Sequence, residues 1–239
     1  MTPLPFRDRV EAGRRLAAEL VSYNLPSNVI VLALPRGGVP VGFEVAKALH
    51  APLDVVVVRK LGVPWQPELA MGAIAGGSVQ VLDYGLIAQL RLSQQDIDGA
   101  IERESEELER REQLYRGGRR GLDLRSRTVL LVDDGLATGS TMLVAVRYVR
   151  TFKPEKAIIA VPVGSTEACE RLKKEVDDFV CLATPASFMA VGEWFTDFRQ
   201  VNDDEVQRLL EEARQQTEAP VQAEYHRRRS SGSRERRVS

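Results

Sequence analysis

The sequence of 239 residues is poor in the side chains that usually build metal centres, disulfide frameworks or histidine-based catalytic sites. It has two cysteines, Cys169 and Cys181, and two histidines, His50 and His226. The cysteines form no C-x-x-C pair and cannot build a disulfide framework, which favours a reducing compartment. Two distant histidines argue against a zinc site and against a Ser-His-Asp triad.

Long apolar runs are also missing. No stretch of the sequence approaches the length needed to span a bilayer. Residues 1–10 contain charged side chains and lack the apolar segment of a secretory signal. The formal net charge is −1, which indicates no general affinity for nucleic acid or membranes. We therefore expect a cytoplasmic protein.

The chain does contain enough apolar residues, 44%, for a sizeable core. Short apolar runs alternate with helical patterns and are joined by short links. Such βα alternation predicts an α/β fold with three α/β/α layers around a mostly parallel sheet of about five to six strands. The predicted strands include Val29–Leu34, Leu53–Val58, Val129–Val132, Ala157–Val163 and Phe179–Leu182.

The most informative stretch runs from Thr128 to Met142 and reads T-V-L-L-V-D-D-G-L-A-T-G-S-T-M. A buried strand is followed by Asp133 and Asp134, a loop of small residues and the start of a helix. Unpaired amides and the helix dipole make such a helix start attractive to phosphate. The two carboxylates instead suit the hydroxyls of a diol. A ribose 5-phosphate group satisfies both halves.

This stretch resembles the phosphoribosyl-pyrophosphate (PRPP) motif of type I phosphoribosyltransferases. An ordinary strand–turn–helix with an aspartate turn is the alternative, and the spacing of a Walker loop is missing. The resemblance implies the type I phosphoribosyltransferase fold, Mg²⁺ as cofactor and a homodimer. It also implies that both aspartates and the loop bind PRPP, the loop residues being Gly135, Leu136, Ala137, Thr138, Gly139, Ser140 and Thr141.

A second loop of this kind follows the first predicted strand, at Pro35–Pro40 (P-R-G-G-V-P). By the resemblance, Arg36 and Gly37 belong to the pyrophosphate-binding loop. The alternative is a plain βα turn in which the glycines only allow the chain to reverse. We favour the binding role because PRPP carries phosphate at both ends.

Two adjacent cations, Arg59 and Lys60, are predicted to close the strand Leu53–Val58. Ligands of open α/β sheets bind at the carboxyl ends of strands. The pair also resembles the cationic pair of adenine and orotate phosphoribosyltransferases, although a solvated strand end would look the same. By the resemblance, Lys60 joins Arg36, Asp133 and Asp134 as a catalytic residue.

Residues 61–120 are predicted to be an insertion. Leu61–Leu69 contains three Gly or Pro residues and is predicted to be neither helix nor regular strand, as in a mobile lid. Its Trp65 would then cover the site or pack against a partner subunit. A hairpin is predicted to follow over Glu68–Tyr84. A helix with a capping box at Ser93 is predicted to run to Tyr115, its apolar stripe facing the core or another subunit.

Thr184–Phe198 resembles the base-binding hood (about residues 184–200) of 6-oxopurine phosphoribosyltransferases. By that likeness Phe188, Trp194 and Asp197 would contact the acceptor. The alternative is a hydrophobic cluster with a packing role only. Two positions depart from the 6-oxopurine pattern: Ala137 replaces an aspartate, and Val163 stands about where the lysine is expected.

The domain is predicted to end with a helix over Asp204–Arg214, giving a phosphoribosyltransferase domain of residues 1–214. Residues 215–239 are basic and poor in apolar side chains, so we expect a disordered tail. It would contact RNA or an acidic partner, or serve solubility alone.

R-D-R-V-E-A-G-R at Arg7–Arg14 and V-R-K-L-G-V-P at Val58–Pro64 resemble motifs of uncharacterised bacterial phosphoribosyltransferase-domain proteins. The resemblance implies Mg-dependent transfer of ribose 5-phosphate from PRPP to a nitrogenous acceptor, such as a purine-like base or another amine, with release of pyrophosphate. A PRPP- or nucleotide-sensing regulator is the rival interpretation. An enzyme acting on another ribose phosphate is a third.

Overall fold

The computed structural model describes residues 4–23, 25–76 and 79–232, with the backbone alone for residue 68 and residues 218–232. Its strands are β1 (Val29–Ala33), β2 (Leu53–Val55), β3 (Val58–Val63), β4 (Gln66–Ala75), β5 (Val79–Leu82), β6 (Thr128–Val132), β7 (Lys156–Val163) and β8 (Asp178–Ala183). Its α-helices are α1 (Arg9–Ser22), α2 (Gly38–Leu49), α3 (Tyr84–Leu90), α4 (Gln94–Arg116), α5 (Ser140–Thr151), α6 (Thr166–Leu172) and α7 (Asp203–Gly232).

Five parallel strands form the main sheet in the order β2-β1-β6-β7-β8. Alternate residues of β6 point to opposite faces: Leu130 packs with α1 and α2, whereas Leu131 packs with α5 and α6. The sheet is therefore buried on both sides, as its near-continuous apolar strands require. The predicted α/β class and its α/β/α layers are confirmed.

Helix α1 starts where its sequence predicts. Asp8 caps it by accepting a hydrogen bond of 2.7 Å from the amide of Glu11. Its apolar side, including Leu16 and Leu20, is buried against the sheet. The cap places Arg9 at the first helical position, beside the carboxyl edge of the sheet.

The strand predicted over Leu53–Val58 begins at Leu53 as expected, but its predicted end is wrong. Strand β2 stops at Val55, and the chain then enters a second, antiparallel sheet of order β3-β4-β5. The role of Leu61–Leu69 as a lid stays a prediction, but the expected lack of regular structure is wrong. The segment forms the ends of β3 and β4, paired as a hairpin with a turn at Pro64–Trp65. Gly62 allows this, because a Cβ there would lie 2.4 Å from the carbonyl oxygen of Pro67. The register shifts beside Gly62, and a proline is tolerated at such an irregularity.

Helix α4 has the predicted capping box at Ser93 and ends at Gly117, which is left-handed with φ 57°. Its stripe of Ile97, Leu108 and Tyr115 is buried in one cluster with residues of β3, β4 and α7. The helix therefore packs on the core of its own chain. This packing fixes the position of the exposed residues of α4 relative to the β3–β4 hairpin.

Helix α7 begins at Asp203 and continues to Gly232, well beyond the predicted end at Arg214. Pairs such as Gln215 with Glu211 and Gln216 with Glu212 support the additional turns. This helical backbone differs from the disordered segment predicted from residue 215. Residues 233–239 of that segment lie outside the described ranges. None of the described helices is both long and apolar enough to cross a bilayer.

Candidate active site

The two aspartates lie directly after β6, at the carboxyl edge of the parallel sheet. The amide of Asp134 donates a hydrogen bond of 2.8 Å to Oδ1 of Asp133. Burial raises the pKa of both carboxyls, and the neighbouring charge of Asp134 adds to the rise for Asp133, whose pKa lies well above its ordinary value. Such carboxylates suit hydrogen bonds from sugar hydroxyls, because those bonds compensate their loss of water.

Arg9 of α1 contacts the acid pair. Its Nε donates to Oδ2 of Asp134 at 2.8 Å, and both side chains are largely buried. The guanidinium also donates to the carbonyl of Arg199 and lies 3.8 Å from the centroid of the Phe198 ring. Arg9 opposes the effect of burial on the pKa of Asp134 by favouring its ionised form.

The Pro35–Gly38 loop, between β1 and α2, packs directly against the two acids. A Cβ on Gly37 would lie 2.1 Å from Oδ2 of Asp134, and one on Gly38 would lie 2.8 Å from the carbonyl oxygen of Val132. Only glycine fits at either position. In the described part of the chain the amides of Arg36 and Gly37 donate to no protein acceptor. The Pro35–Arg36 peptide is cis.

The side chain of Arg36 is directed towards α7. Its Nη1 lies 3.8 Å from Oδ1 of Asp203, and the same carboxylate accepts a hydrogen bond of 2.6 Å from the Tyr115 hydroxyl. Burial and this bond raise the pKa of Tyr115 to about 12. The loop thus presents its backbone to the acid pair, while its arginine contacts the helical layer.

The second loop, Gly135–Gly139, is held from behind by the segment after β7. The amide of Leu136 donates to the carbonyl of Val163, and the amide of Ser165 donates to the carbonyl of Leu136. The Ser165 hydroxyl and the Arg171 guanidinium donate to the carbonyls of Ala137 and Thr138. With their carbonyls bonded in this way, the residues of the loop can turn amides outwards.

Gly139 joins the loop to α5 in the left-handed region, with φ 69°. A Cβ there would also lie 2.8 Å from Cδ1 of Leu172. Both the backbone conformation and the available space therefore favour glycine. The hydroxyls of Thr138 and Ser140 lie 3.2 Å apart beside it. Within the described ranges, five amides here have no protein acceptor: those of Ala137, Thr138, Gly139, Thr141 and Met142. Such a concentration of free donors at a helix start is suited to an anion.

A cleft of about 700 Å³ lies beside these loops and is bounded by Pro35, Thr141, the β3–β4 hairpin and α4. The predicted cationic pair, Arg59 and Lys60, lines this cleft, but from β3 of the small sheet rather than from a parallel strand. Arg59 is paired with Glu104 of α4 at 2.7 Å. Lys60 also lines an adjoining cleft of about 520 Å³ that includes Thr138 and Ser140.

The three predicted acceptor residues contact other side chains of the protein. Phe188 and Trp194 stack on each other with their ring centroids 6.1 Å apart and pack against the cluster of Phe6 and Phe195. Asp197 is paired with Arg199 at 2.9 Å. The hood residue that reaches the phosphate loop is a different one: Val191, whose Cγ1 would lie 2.6 Å from a Cβ on Gly135.

Three groups at the site were not singled out from the sequence. Arg9 is 125 residues from its partner Asp134, so no local pattern indicates the pair. Ser165 and Arg171 support the phosphate loop from α6 and its cap, and their spacing alone signals only a helix start. Among the described residues, no group of three or more His, Cys, Asp or Glu side chains could by itself hold a metal ion.

An acid pair between two loops of free amides, at the carboxyl edge of a parallel sheet, is the arrangement expected of a protein that binds phosphorylated ribose. The family model "Phosphoribosyl transferase domain" matches residues 7–196. The chain belongs to the phosphoribosyl transferase domain family.

Two relatives illustrate this membership. A Mycobacterium tuberculosis protein named "Putative phosphoribosyl transferase" is 47% identical over 208 residues, which are 87% of this chain and 47% of the relative. The chain thus spans about half the length of that relative. The crystal structure of the protein TT1426 from Thermus thermophilus is 42% identical and superposes with a TM-score of 0.75, covering 87% of this chain and 99% of that one.

Proposed function

We propose that the protein is an Mg-dependent phosphoribosyltransferase that transfers ribose 5-phosphate from PRPP to a nitrogenous acceptor and releases pyrophosphate. The observation that carries the proposal is the position of Asp133 and Asp134 between two loops of unpartnered amides. A ribose with phosphate at each end matches that order of donors and acceptors. The family membership supports the same class of reaction.

In this reaction the acceptor nitrogen forms a bond to C1 of the ribose, and the bond from C1 to the pyrophosphate oxygen breaks. Pyrophosphate leaves with the electron pair, and the acceptor loses its proton to solvent or to the leaving group. Asp133 and Asp134 hold the ribose hydroxyls and orient C1. Residues 135–141 bind the 5-phosphate, which contributes binding energy away from the reacting bond.

Negative charge develops on the departing diphosphate. The amides of Arg36 and Gly37 and the cations Arg59 and Lys60 are suited to stabilise it. In the structure the Arg36 side chain contacts Asp203, so its contribution requires either its backbone amide or a turn of the side chain towards the cleft.

Mg²⁺ fits the residues present as a metal that arrives with the diphosphate. The site offers two adjacent carboxylates and no larger ligand cluster among the described residues, and Mg²⁺ commonly combines few protein ligands with substrate phosphates. Asp133 and Asp134 would hold it through water. When bound, it neutralises charge on the leaving group.

The acceptor is proposed to be a purine-like base or another nitrogen heterocycle. We keep Phe188, Trp194 and Asp197 as proposed acceptor residues because of the resemblance alone. In the structure the two rings stack on each other and the carboxylate is ion-paired. Val191 beside Gly135 is the hood side chain nearest the loop. A homodimer and a cytoplasmic location stay predictions, and light scattering on the purified chain would test the first.

A PRPP- or nucleotide-sensing regulator is the second candidate. The observation in its favour is that Arg9 already occupies one oxygen of Asp134, which suits a site that responds to binding. The two candidates differ in turnover: an enzyme releases pyrophosphate with one acceptor, and a regulator binds PRPP without release.

The test measures PRPP binding by calorimetry and pyrophosphate release with Mg²⁺ and a panel of bases and amines. Wild-type protein should bind PRPP, and the double variant Asp133→Asn, Asp134→Asn should lose at least about tenfold in affinity, as expected for lost charged hydrogen bonds. Asp123→Asn, at an exposed carboxylate paired with Arg125, is the control. Unchanged PRPP affinity in a folded double variant would refute the proposal.

A further inference from the structure

Helix α4 contributes a wall to the cleft beside the pyrophosphate loop. Ala100, Arg103 and Glu104 line this cleft together with Arg59 and Lys60. Positions 100, 103 and 104 share one face of a helix by their i, i+3, i+4 spacing. Buried Ile97 and Leu108 on the same helix anchor it to the core, so this wall is held in place.

The charges on this cleft do not cancel. Three cations, Arg59, Lys60 and Arg103, line it, but only one carboxylate, Glu104. Glu104 is committed to Arg59, with Oε2 lying 2.8 Å from Nε and 2.7 Å from Nη2. Within the described part of the chain neither Lys60 nor Arg103 has an ion pair. The cleft is therefore prepared for an anion of more than one negative charge.

The Arg103 guanidinium lies beside Gly99, one turn earlier on α4. A Cβ on Gly99 would lie 3.5 Å from Nη1 of Arg103. The arginine therefore extends back along the helix, in the direction usual for long helical side chains. Its planar array of donors suits the paired oxygens of a phosphate group better than a lysine would.

We propose that Arg103 of α4 binds the diphosphate of PRPP and of the released pyrophosphate, in the cleft that Pro35 also lines. This inference rests on the proposed function and adds a binding residue to it. Glu104 is a positioning residue, since it holds Arg59 on the same wall. The diphosphate thereby bridges the main sheet and the inserted helix.

The experiment compares Arg103→Gln with wild type for three ligands by calorimetry: pyrophosphate with Mg²⁺, PRPP with Mg²⁺, and ribose 5-phosphate. We expect pyrophosphate and PRPP to bind about tenfold more weakly to the variant, the effect of one charged hydrogen-bonding group. Ribose 5-phosphate lacks the diphosphate and should bind unchanged. Arg103→Lys keeps the charge and should lose less affinity.

The control is Arg110→Gln on the same helix, which removes an equal charge from an exposed residue. Its partner Glu107 keeps Arg111 at 2.7 Å, so no carboxylate is left unpaired. The control should bind all three ligands as wild type does. Equal pyrophosphate affinity for Arg103→Gln and wild type overturns the inference, and so does an equal loss for ribose 5-phosphate.

These results also separate the inference from the proposed function. If wild-type protein binds PRPP and Arg103→Gln binds it equally well, only the role of Arg103 is refuted. If wild-type protein binds neither PRPP nor ribose 5-phosphate, the proposed function falls and the inference falls with it.

Discussion

The Arg9 guanidinium is bonded to the Asp134 carboxylate, with 2.8 Å between Nε and Oδ2. The same arginine donates to the carbonyl of Arg199 and stacks on Phe198 of the hood. One side chain thus connects the first turn of α1, the acid pair and the hood. Arg9 therefore forms a direct physical link between Asp134 and the hood.

Replacing Arg9 by Gln should make PRPP binding sensitive to acid. Burial raises the pKa of Asp134 and Arg9 opposes that rise, so its loss raises the pKa further. More of the carboxyl is then protonated at pH 6 than at pH 8. We expect PRPP affinity to fall about tenfold at pH 6 and by less at pH 8, measured by calorimetry.

The control for this variant is Arg14→Gln, also on α1, whose exposed side chain pairs with Glu44 at 3.0 Å. It should show the wild-type pH profile. Arg9→Lys retains a positive charge and should restore part of the affinity at pH 6. A pH-independent loss in Arg9→Gln would show that the arginine acts through packing alone.

Replacing Asp133 by Asn should stabilise the fold at high pH. Burial raises the pKa of folded Asp133 well above its ordinary value of 3.8. Below that value both folded and unfolded states are protonated, and as pH rises towards the folded pKa the unfolded state loses its proton first, so stability falls. The amide of Asn removes this penalty and still accepts the bond from the Asp134 amide.

The measurement is the free energy of unfolding in urea at pH 4.5 and pH 8. We expect Asp133→Asn to exceed wild type by about 1 kcal/mol at pH 8, with a smaller difference at pH 4.5. A variant less stable than wild type at pH 8 would contradict the prediction. The same variant should bind PRPP more weakly, as expected where a site is kept at the expense of stability.

Replacing Gly139 by Ala should cost more than the same change at Gly118. Both glycines are left-handed, with φ 69° and 77°, so both variants carry the backbone strain of alanine there, about 1 kcal/mol. A Cβ on Gly118 meets nothing within 4 Å, whereas one on Gly139 would lie 2.8 Å from Leu172. We expect about 1 kcal/mol of additional destabilisation in Gly139→Ala.

Urea unfolding of both variants measures this difference, and calorimetry with ribose 5-phosphate measures its effect on the site. Gly139→Ala should weaken ribose 5-phosphate binding, because the loop amides shift, while Gly118→Ala should not. Equal stability of the two variants would mean that Leu172 moves aside without cost.

Features set by neighbouring residues could be predicted from the sequence. The Asp8 cap, the capping box at Ser93 and the acid–glycine loop after β6 all depend on contacts within a few positions. The parallel sheet followed from the alternation of strands and helices. The roles assigned to the site residues stay predictions, but the structure does place Lys60, from the small sheet, in a cleft with Thr138 and Ser140 of the loop that follows the two aspartates.

The strand pairing of segment 53–69 could not be predicted from the sequence. The sequence predicted one strand followed by a lid, whereas the chain changes sheets between Val55 and Val58 and pairs as a hairpin. Nothing local distinguishes a strand that continues from one that joins a different sheet, because the partner strand β4 decides the pairing. Tertiary packing also determines that Arg59 turns to Glu104 of α4.

The sequence by itself determined which chemical groups the central loop carries: two adjacent acids, a run of small residues and glycine at position 139, where a side chain would clash. Tertiary structure alone decided which distant groups meet there, namely Arg9 on Asp134, Arg171 on Thr138 and α4 on the cleft. The reason is physical. Caps and turns form between neighbours in the chain, whereas charge pairing across 125 residues requires the packed sheet to bring the partners together.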